Sequence, residues 1–183
     1  MTEIPVCHTP RLVLRGYEPQ DLEAVFRMVQ DEETLRFLPH KEPWEHARVQ
    51  TWLESQRVHW DEYGFGWWLL EARVDARVLG WCGLRRLQET GEVELLYLLE
   101  KTHWGHGLAT EAARAAVEFA FTQTDLKEIV GLVDVGHGAS QRVLEKAGMA
   151  YAGNFSYFGM HLKKYCLRAE RFLETGGSTC ALC

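Results

Sequence analysis

Between positions 94 and 112 the chain reads Glu94-Leu95-Leu96-Tyr97-Leu98-Leu99-Glu100-Lys101-Thr102-His103-Trp104-Gly105-His106-Gly107-Leu108-Ala109-Thr110-Glu111-Ala112. An apolar strand passes into a loop with glycines at alternate positions and then directly into a helix. Unpaired backbone N–H groups and the positive end of the helix dipole therefore converge on one spot, which suits a phosphate. Glycine at 105 and 107 keeps side chains from holding an anion off the backbone, and it reaches dihedral angles that strain other residues. A P-loop would need G-x-x-x-x-G-K-[ST], and a Rossmann fingerprint would need a third glycine after the first strand of a parallel sheet. Neither is present.

What leads into this segment is antiparallel. Strand candidates at 67–73, 78–87 and 92–99 are separated only by Val74-Asp75-Ala76 and Gln88-Glu89-Thr90-Gly91, turns short enough for a meander. Upstream, Leu12-Val13-Leu14-Arg15 reads as a first strand, and Pro19-Gln20-Asp21 opens a helix with Leu22, Val25, Phe26 and Val29 on one face. Within 44–63, Val49, Trp52, Leu53, Trp60 and Tyr63 keep near one helical stripe, rich in tryptophan, that either packs on the sheet or walls a pocket. Downstream, 108–121 is helical, and Ala109, Ala112, Ala113, Ala116 and Ala120 form a small-residue face that lets it lie close to a sheet. A buried strand at 128–133, a short helix over 139–147 stopped by Gly148, and strands at 151–157 and 161–168 complete the chain. The expected fold class is mixed α/β, a mostly antiparallel six- to seven-stranded sheet flanked by helices. One domain over 1–174 and a flexible tail over 175–183 are expected.

Composition narrows the partners. No 18-residue apolar run exists and the N-terminal residues do not read as a signal peptide, so cytoplasmic residence without a membrane anchor is the expectation. With 26 acidic and 20 basic residues the net charge is −6, which argues against general affinity for nucleic acid or anionic membrane. Small or cationic partners fit better. Five cysteines, at 7, 82, 166, 180 and 183, indicate neither a disulfide framework nor a zinc site, since Cys180 and Cys183 supply two ligands where structural zinc takes four.

The stretch from Trp104 to Ala112 resembles the acetyl-CoA pyrophosphate loop of the GNAT acetyltransferase superfamily, R/Q-x-x-G-x-G/A, which falls here on Trp104, Gly107 and Ala109. Its nearest look is the branch that acetylates ribosomal-protein N-termini. The stretch from His137 to Met149 resembles the same family's N-x-x-S-x-x-x-L-x-K-x-G-F segment, and the resemblance covers about 9–172. It implies a GNAT acyl-CoA fold and acetyl transfer from acetyl-CoA to a primary amine by direct attack, with no metal. The implied cofactor contacts are Leu98, Leu99, Trp104, Gly105, His106, Gly107, Leu108, Ala109, Thr110, His137 and Ser140. A protein N-terminal α-amine is the acceptor that the nearest branch implies; a small amine such as an antibiotic or polyamine is the alternative. A non-catalytic acyl-CoA-binding module is the rival from another class. A homodimer is compatible with all three.

Many members place a tyrosine seven residues after the second motif's asparagine to protonate the leaving thiolate; here that position is Leu144. Ser140 is then the expected partner of the departing sulfur. His137 stands where the asparagine would be, and its ring can cap the following helix or touch the cofactor. An amine arrives mostly as ammonium, so a proton must leave before attack, and Glu94 is the expected carboxylate, with Glu92 as competitor. A backbone N–H at Leu98 or Leu99 would hold the oxyanion. Tyr97 is expected to pack, and Arg85-Arg86 to be a solvated approach to a turn.

Overall fold

A computed structural model describes residues 3–174 except positions 40 and 158, together with Gly176. The expected tail, including Cys180 and Cys183, otherwise lies outside the described residues. Strands β1 (Cys7–His8) and β2 (Leu12–Arg15) are followed by helices α1 (Leu22–Met28), α2 (Glu32–Leu35) and α3 (His46–Tyr63). Then come β3 (Trp67–Ala72), β4 (Val78–Arg86), β5 (Val93–Leu99), α4 (Leu108–Thr122), β6 (Glu128–Asp134) and α5 (Gly138–Lys146). The last elements are β7 (Ala150–Tyr157), β8 (Met160–Arg168) and α6 (Ala169–Glu174). All eight strands join one sheet in the order β1-β2-β3-β4-β5-β6-β8-β7, one more than the upper expected count because the two-residue β1 carries no periodic signal.

Neighbours are antiparallel throughout except β5 and β6, which run parallel and share a single register pair, Glu94 with Val130. From β1 to β5 each strand pairs antiparallel with the next, and β3 to β5 form the expected meander. The crossover through α4 makes β6 parallel, and β6 then pairs along its whole length with β8. Beyond Glu94, β5 and β6 part company. That gap is the feature on which the site is built.

Alternation along the strands divides the core between the two faces of the sheet. Trp67, Leu69, Trp81 and Leu98 point to one face, where they pack with Val25 and Val29 around α1 and Val49 of α3. Cys82, Leu84, Leu95 and Leu99 point to the other, against Ala112, Ala113, Ala116 and Ala120 of α4. The alanine face lets α4 settle directly on β4 and β5. Gly64 ends α3 in the left-handed region at φ +71°, its N–H closing on the Trp60 carbonyl at 3.0 Å. Cys82 and Cys166 are free thiols. Among the described residues no helix is long and apolar enough to cross a membrane.

Candidate active site

Gly105 and Gly107 both adopt left-handed dihedrals, φ +80° and +77°, and Gly107 caps the N-terminus of α4. The first N–H groups of α4 have no partner within the helix, and they open on a cavity of about 690 Å³ lined by Gly105, Gly107, Leu108, Ala109 and Thr110. The loop is held from outside. Arg11 donates to the His106 carbonyl at 2.8 Å and pairs with Glu111 at 2.7 Å, while Glu111 also accepts from the Arg11 N–H and the Thr9 hydroxyl. Burial alone would raise the Glu111 carboxyl, but the bonds from Thr9 and Arg11 outweigh it and hold it below the usual carboxylate range. Trp104 ties the loop to the strand, its indole N–H donating to the Leu99 carbonyl at 2.8 Å. Trp104 also lines the cavity, whereas His106 does not.

The ladder between β4 and β5 decides which backbone groups face the gap. Glu100 donates to Leu79 and Leu87 donates to Glu92, so even-numbered residues of β5 bond to β4 and odd-numbered ones face β6. Leu98 therefore directs its N–H to β4. Leu99 and Tyr97 direct theirs into the gap, where β6 has no residue in register. Of the two expected oxyanion donors, Leu99 is the one whose N–H points into the gap, although both residues line the cavity.

The side chains of β5 sort in the same way. Tyr97 lies on the α4 face, and its hydroxyl donates to the Ser140 carbonyl at 3.0 Å and lies 2.8 Å from Ser140 Oγ, where either hydroxyl can be the donor. Burial pushes the Tyr97 phenol well up, so it is neutral at physiological pH. Tyr97 is thus part of the site and not packing alone; its place three residues after Glu94, on the opposite face of β5, was the available signal. His137 makes no side-chain cap on α5, contrary to one expectation. Its ring instead stacks on Phe37, centroids 3.7 Å apart and planes 10° from parallel, and burial lowers its pKa. Both His137 and Ser140 line the cavity, and Leu144 is buried beside them at 2% exposure.

Glu94 points to the other face. It is 6% exposed, lines the same cavity, and receives Arg85 Nη2 at 2.5 Å. Burial pushes the Glu94 carboxyl up, and Arg85 together with the Leu132 N–H offsets only part of that. Arg85 is thus no solvated turn residue: β4 and β5 set it directly opposite Glu94. Glu92 is spoken for by Lys164 at 2.5 Å and stands outside the cavity. Around Glu94 the wall is aromatic, with Trp52 4.8 Å from Trp81 and 5.3 Å from Trp67, and Trp44 5.8 Å from Trp52. The indole N–H groups of Trp44 and Trp67 and the Nε of Arg85 are buried with no hydrogen-bond partner among the described residues. Each such orphan ordinarily costs about 1–3 kcal/mol, and these three belong to residues that line the cavity, while a fourth, the Tyr17 hydroxyl, belongs to a ring packed on Trp52 outside it.

One cavity therefore joins an anion nest and a hydroxyl pair on one face of the sheet to a carboxylate and an aromatic wall on the other, through the gap between β5 and β6. Glycines at the nest, a free helix N-terminus and a widened strand gap fit a pyrophosphate followed by a slender pantetheine arm. Residues 11–150 match the family model described as Acetyltransferase (GNAT) domain. The chain is 30% identical over 154 residues to the uncharacterized N-acetyltransferase YoaA of Bacillus subtilis, covering 81% of this chain and 85% of that one. Two solved structures share the fold: the ribosomal L7/L12 alpha-N-protein acetyltransferase RimL in complex with coenzyme A (TM-score 0.76, 14% identity, 89% of this chain and 97% of that one) and the aminoglycoside acetyltransferase AAC(6')-Ib with coenzyme A (TM-score 0.74, 18% identity, 90% and 98%). The chain belongs to the GNAT acetyltransferase family and is an acetyl-CoA-dependent acyltransferase.

Proposed function

We propose that the enzyme acetylates a primary α-amine, of a protein N-terminus or of a smaller molecule, by direct attack. The observation that carries this reading is the division of labour at β5: Glu94 faces the aromatic half of the cavity, while Tyr97 and Ser140 meet on the half that holds the anion nest. When bound, acetyl-CoA supplies the thioester. The N–H groups of Gly107, Leu108, Ala109 and Thr110 hold its pyrophosphate, Trp104 and Gly105 shape the loop, and His137 borders the arm from the α5 side. His106 contributes through its carbonyl, which fixes the loop to Arg11.

Glu94 attracts the arriving ammonium and accepts its proton, directly or through one water. Its raised pKa makes it a better match to an amine than an ordinary carboxylate, and an α-amine, at about 7.7–8.0, is the easier amine to deprotonate. The N–H of Leu99 polarises the thioester carbonyl from the gap. Ser140 gives a proton or hydrogen bond to the departing sulfur, and Tyr97 fixes that hydroxyl in place. A protein N-terminus is favoured over a polycationic drug or polyamine because three guanidiniums, of Arg48, Arg85 and Arg142, line the cavity beside two carboxylates, Glu94 and Asp134, and Glu94 is already paired with Arg85.

The test is release of free thiol from acetyl-CoA by the purified chain with a panel of amines. Turnover that requires an amine is expected. Retention of CoA with no thiol released for any amine would leave only a binding module.

A further inference from the structure

Resting on that acetyl-transfer reading, the same cavity says more about the acceptor. Its outer half is walled by Trp44, Trp52, Trp67 and Trp81, four indoles in mutual contact at centroid distances of 4.8–6.4 Å. A wall of that kind takes a flat or bulky apolar group. Polar function on this half is nearly all donor. Trp44 Nε1, Trp67 Nε1 and Arg85 Nε have no acceptor among the described residues, and Trp44 and Trp67 are more than nine-tenths buried. The Arg48 guanidinium stacks on Trp44 at 4.4 Å and forms no hydrogen bond or ion pair among the described residues. Of the two carboxylates that line the cavity, Glu94 already shares its charge with Arg85 and Asp134 already accepts from the Gly136 N–H.

Trp44 is not loosely placed. Its N–H donates to the Val29 carbonyl at 3.3 Å, and its own carbonyl accepts from Gln30 at 2.8 Å, so the segment before α3 is pinned to the end of α1. Trp67 is fixed by its pairing with Gly83 in the ladder. Both donors thus belong to a rigid frame, and the Trp52 ring packs against both indoles, 5.8 Å from Trp44 and 5.3 Å from Trp67, with all three lining the cavity.

We infer that the acceptor is an α-amino acyl compound with a large apolar side chain, its amine at Glu94, its side chain among the tryptophans and its acyl oxygen taken by Arg48 and the indole N–H groups of Trp44 and Trp67. A polyamine offers these donors nothing and would set further cations beside Arg48 and Arg85. The same chemistry can come from a free amino acid or from the first residue of a peptide.

Steady-state kinetics separates the cases with L-phenylalaninamide, phenethylamine (the same ring and amine without the carbonyl), L-alaninamide and spermidine. The expected result is a kcat/KM for L-phenylalaninamide at least tenfold above each of the other three. Trp44→Phe and Trp67→Phe keep a ring in place and remove the donor. Each should reduce kcat/KM for L-phenylalaninamide at least fivefold more than for phenethylamine, with the KM for acetyl-CoA as a check that the fold survives. L-Phenylalanine and a peptide beginning with phenylalanine tell the two sources apart, because preference for the free acid identifies a small molecule and preference for the peptide identifies an N-terminus. Spermidine or L-alaninamide used as well as L-phenylalaninamide, or equal losses on the two ring-bearing amines, overturns the inference while leaving acetyl transfer intact. Thiol release with none of the amines removes the acetyl-transfer reading itself.

Discussion

Arg85 and Glu94 stand directly opposite each other on β4 and β5, with Nη2 and Oε2 2.5 Å apart and the Glu94 side chain 8% exposed. The pairing follows from the turn, since Leu87 and Glu92 close the hairpin and two further steps outward bring these two residues face to face. A cation in contact with a buried carboxylate stabilises its charged form, against a desolvation that works the other way.

Arg85→Gln removes that cation while keeping a polar side chain. The Glu94 pKa should climb further, so the acidic limb of kcat/KM for the acceptor should move to higher pH. The stability sign is fixed too: a folded-state pKa above the unfolded value favours folding at low pH and loses that contribution as pH rises through the folded value. The variant should therefore lose more stability at pH 9 than at pH 5, read by denaturant midpoints at the two pH values. An unmoved acidic limb would assign that limb to another group.

Ser140→Ala removes the hydroxyl expected to meet the sulfur, and kcat should fall by about 10²-fold, at the lower end for a proton donor, with little change in the KM for acetyl-CoA. Tyr97→Phe keeps the ring and removes only the bond to Ser140, so kcat should fall less, by about tenfold, about 1.4 kcal/mol. The double variant should lose no more than Ser140→Ala alone if Tyr97 works only through Ser140. Additive losses would give Tyr97 a direct role.

Gly107→Asp places a side chain in a backbone conformation that disfavours one, and a negative charge where the pyrophosphate would sit. Affinity for acetyl-CoA should drop at least tenfold, about 1.4 kcal/mol, by calorimetry on the folded variant. Unchanged affinity would remove the nest from the cofactor site.

Much of this was readable in the sequence for reasons that particular residues show. The glycines at 105 and 107 fix a loop whatever surrounds it, the alanines of α4 declare a close-packed face, and the short turns at 74–76 and 88–91 leave the meander few alternatives. What the chain does not announce is which neighbour a side chain finds across space. Tyr97 meets Ser140 across 43 positions, and Phe37 stacks on His137 across a hundred, so periodicity could not pair them. Arg85 was recoverable by counting back from Gly91, because hairpin register is set by its turn. The two-residue β1 and the four-residue α2 are too short to carry a period.

Arg11 and Glu111 hold the loop from outside, and Glu111 is kept ionised below the ordinary carboxylate range. Its contribution is present above the unfolded carboxylate value and lost as pH falls through the lower folded one. Glu111→Gln should weaken acetyl-CoA binding several-fold at pH 7 while flattening any loss of affinity that the parent shows on acidification below about pH 4.5. Equal affinities at pH 7 would show the clamp to be dispensable.

Proton removal from the acceptor rests on Glu94, the carboxylate that reaches the gap from the acceptor side. Glu94→Gln preserves shape and removes both the charge and the proton acceptor, so the direct measurement is kcat and acceptor KM for this variant from pH 6 to 10. Acetyl-CoA binding should be unchanged, acceptor KM raised and kcat lowered by about 10²-fold at pH 7, with activity recovering as pH climbs through the amine's own pKa, where free amine needs no base. A loss that stays uniform at every pH, or no loss at all, contradicts the assignment of the proton to Glu94.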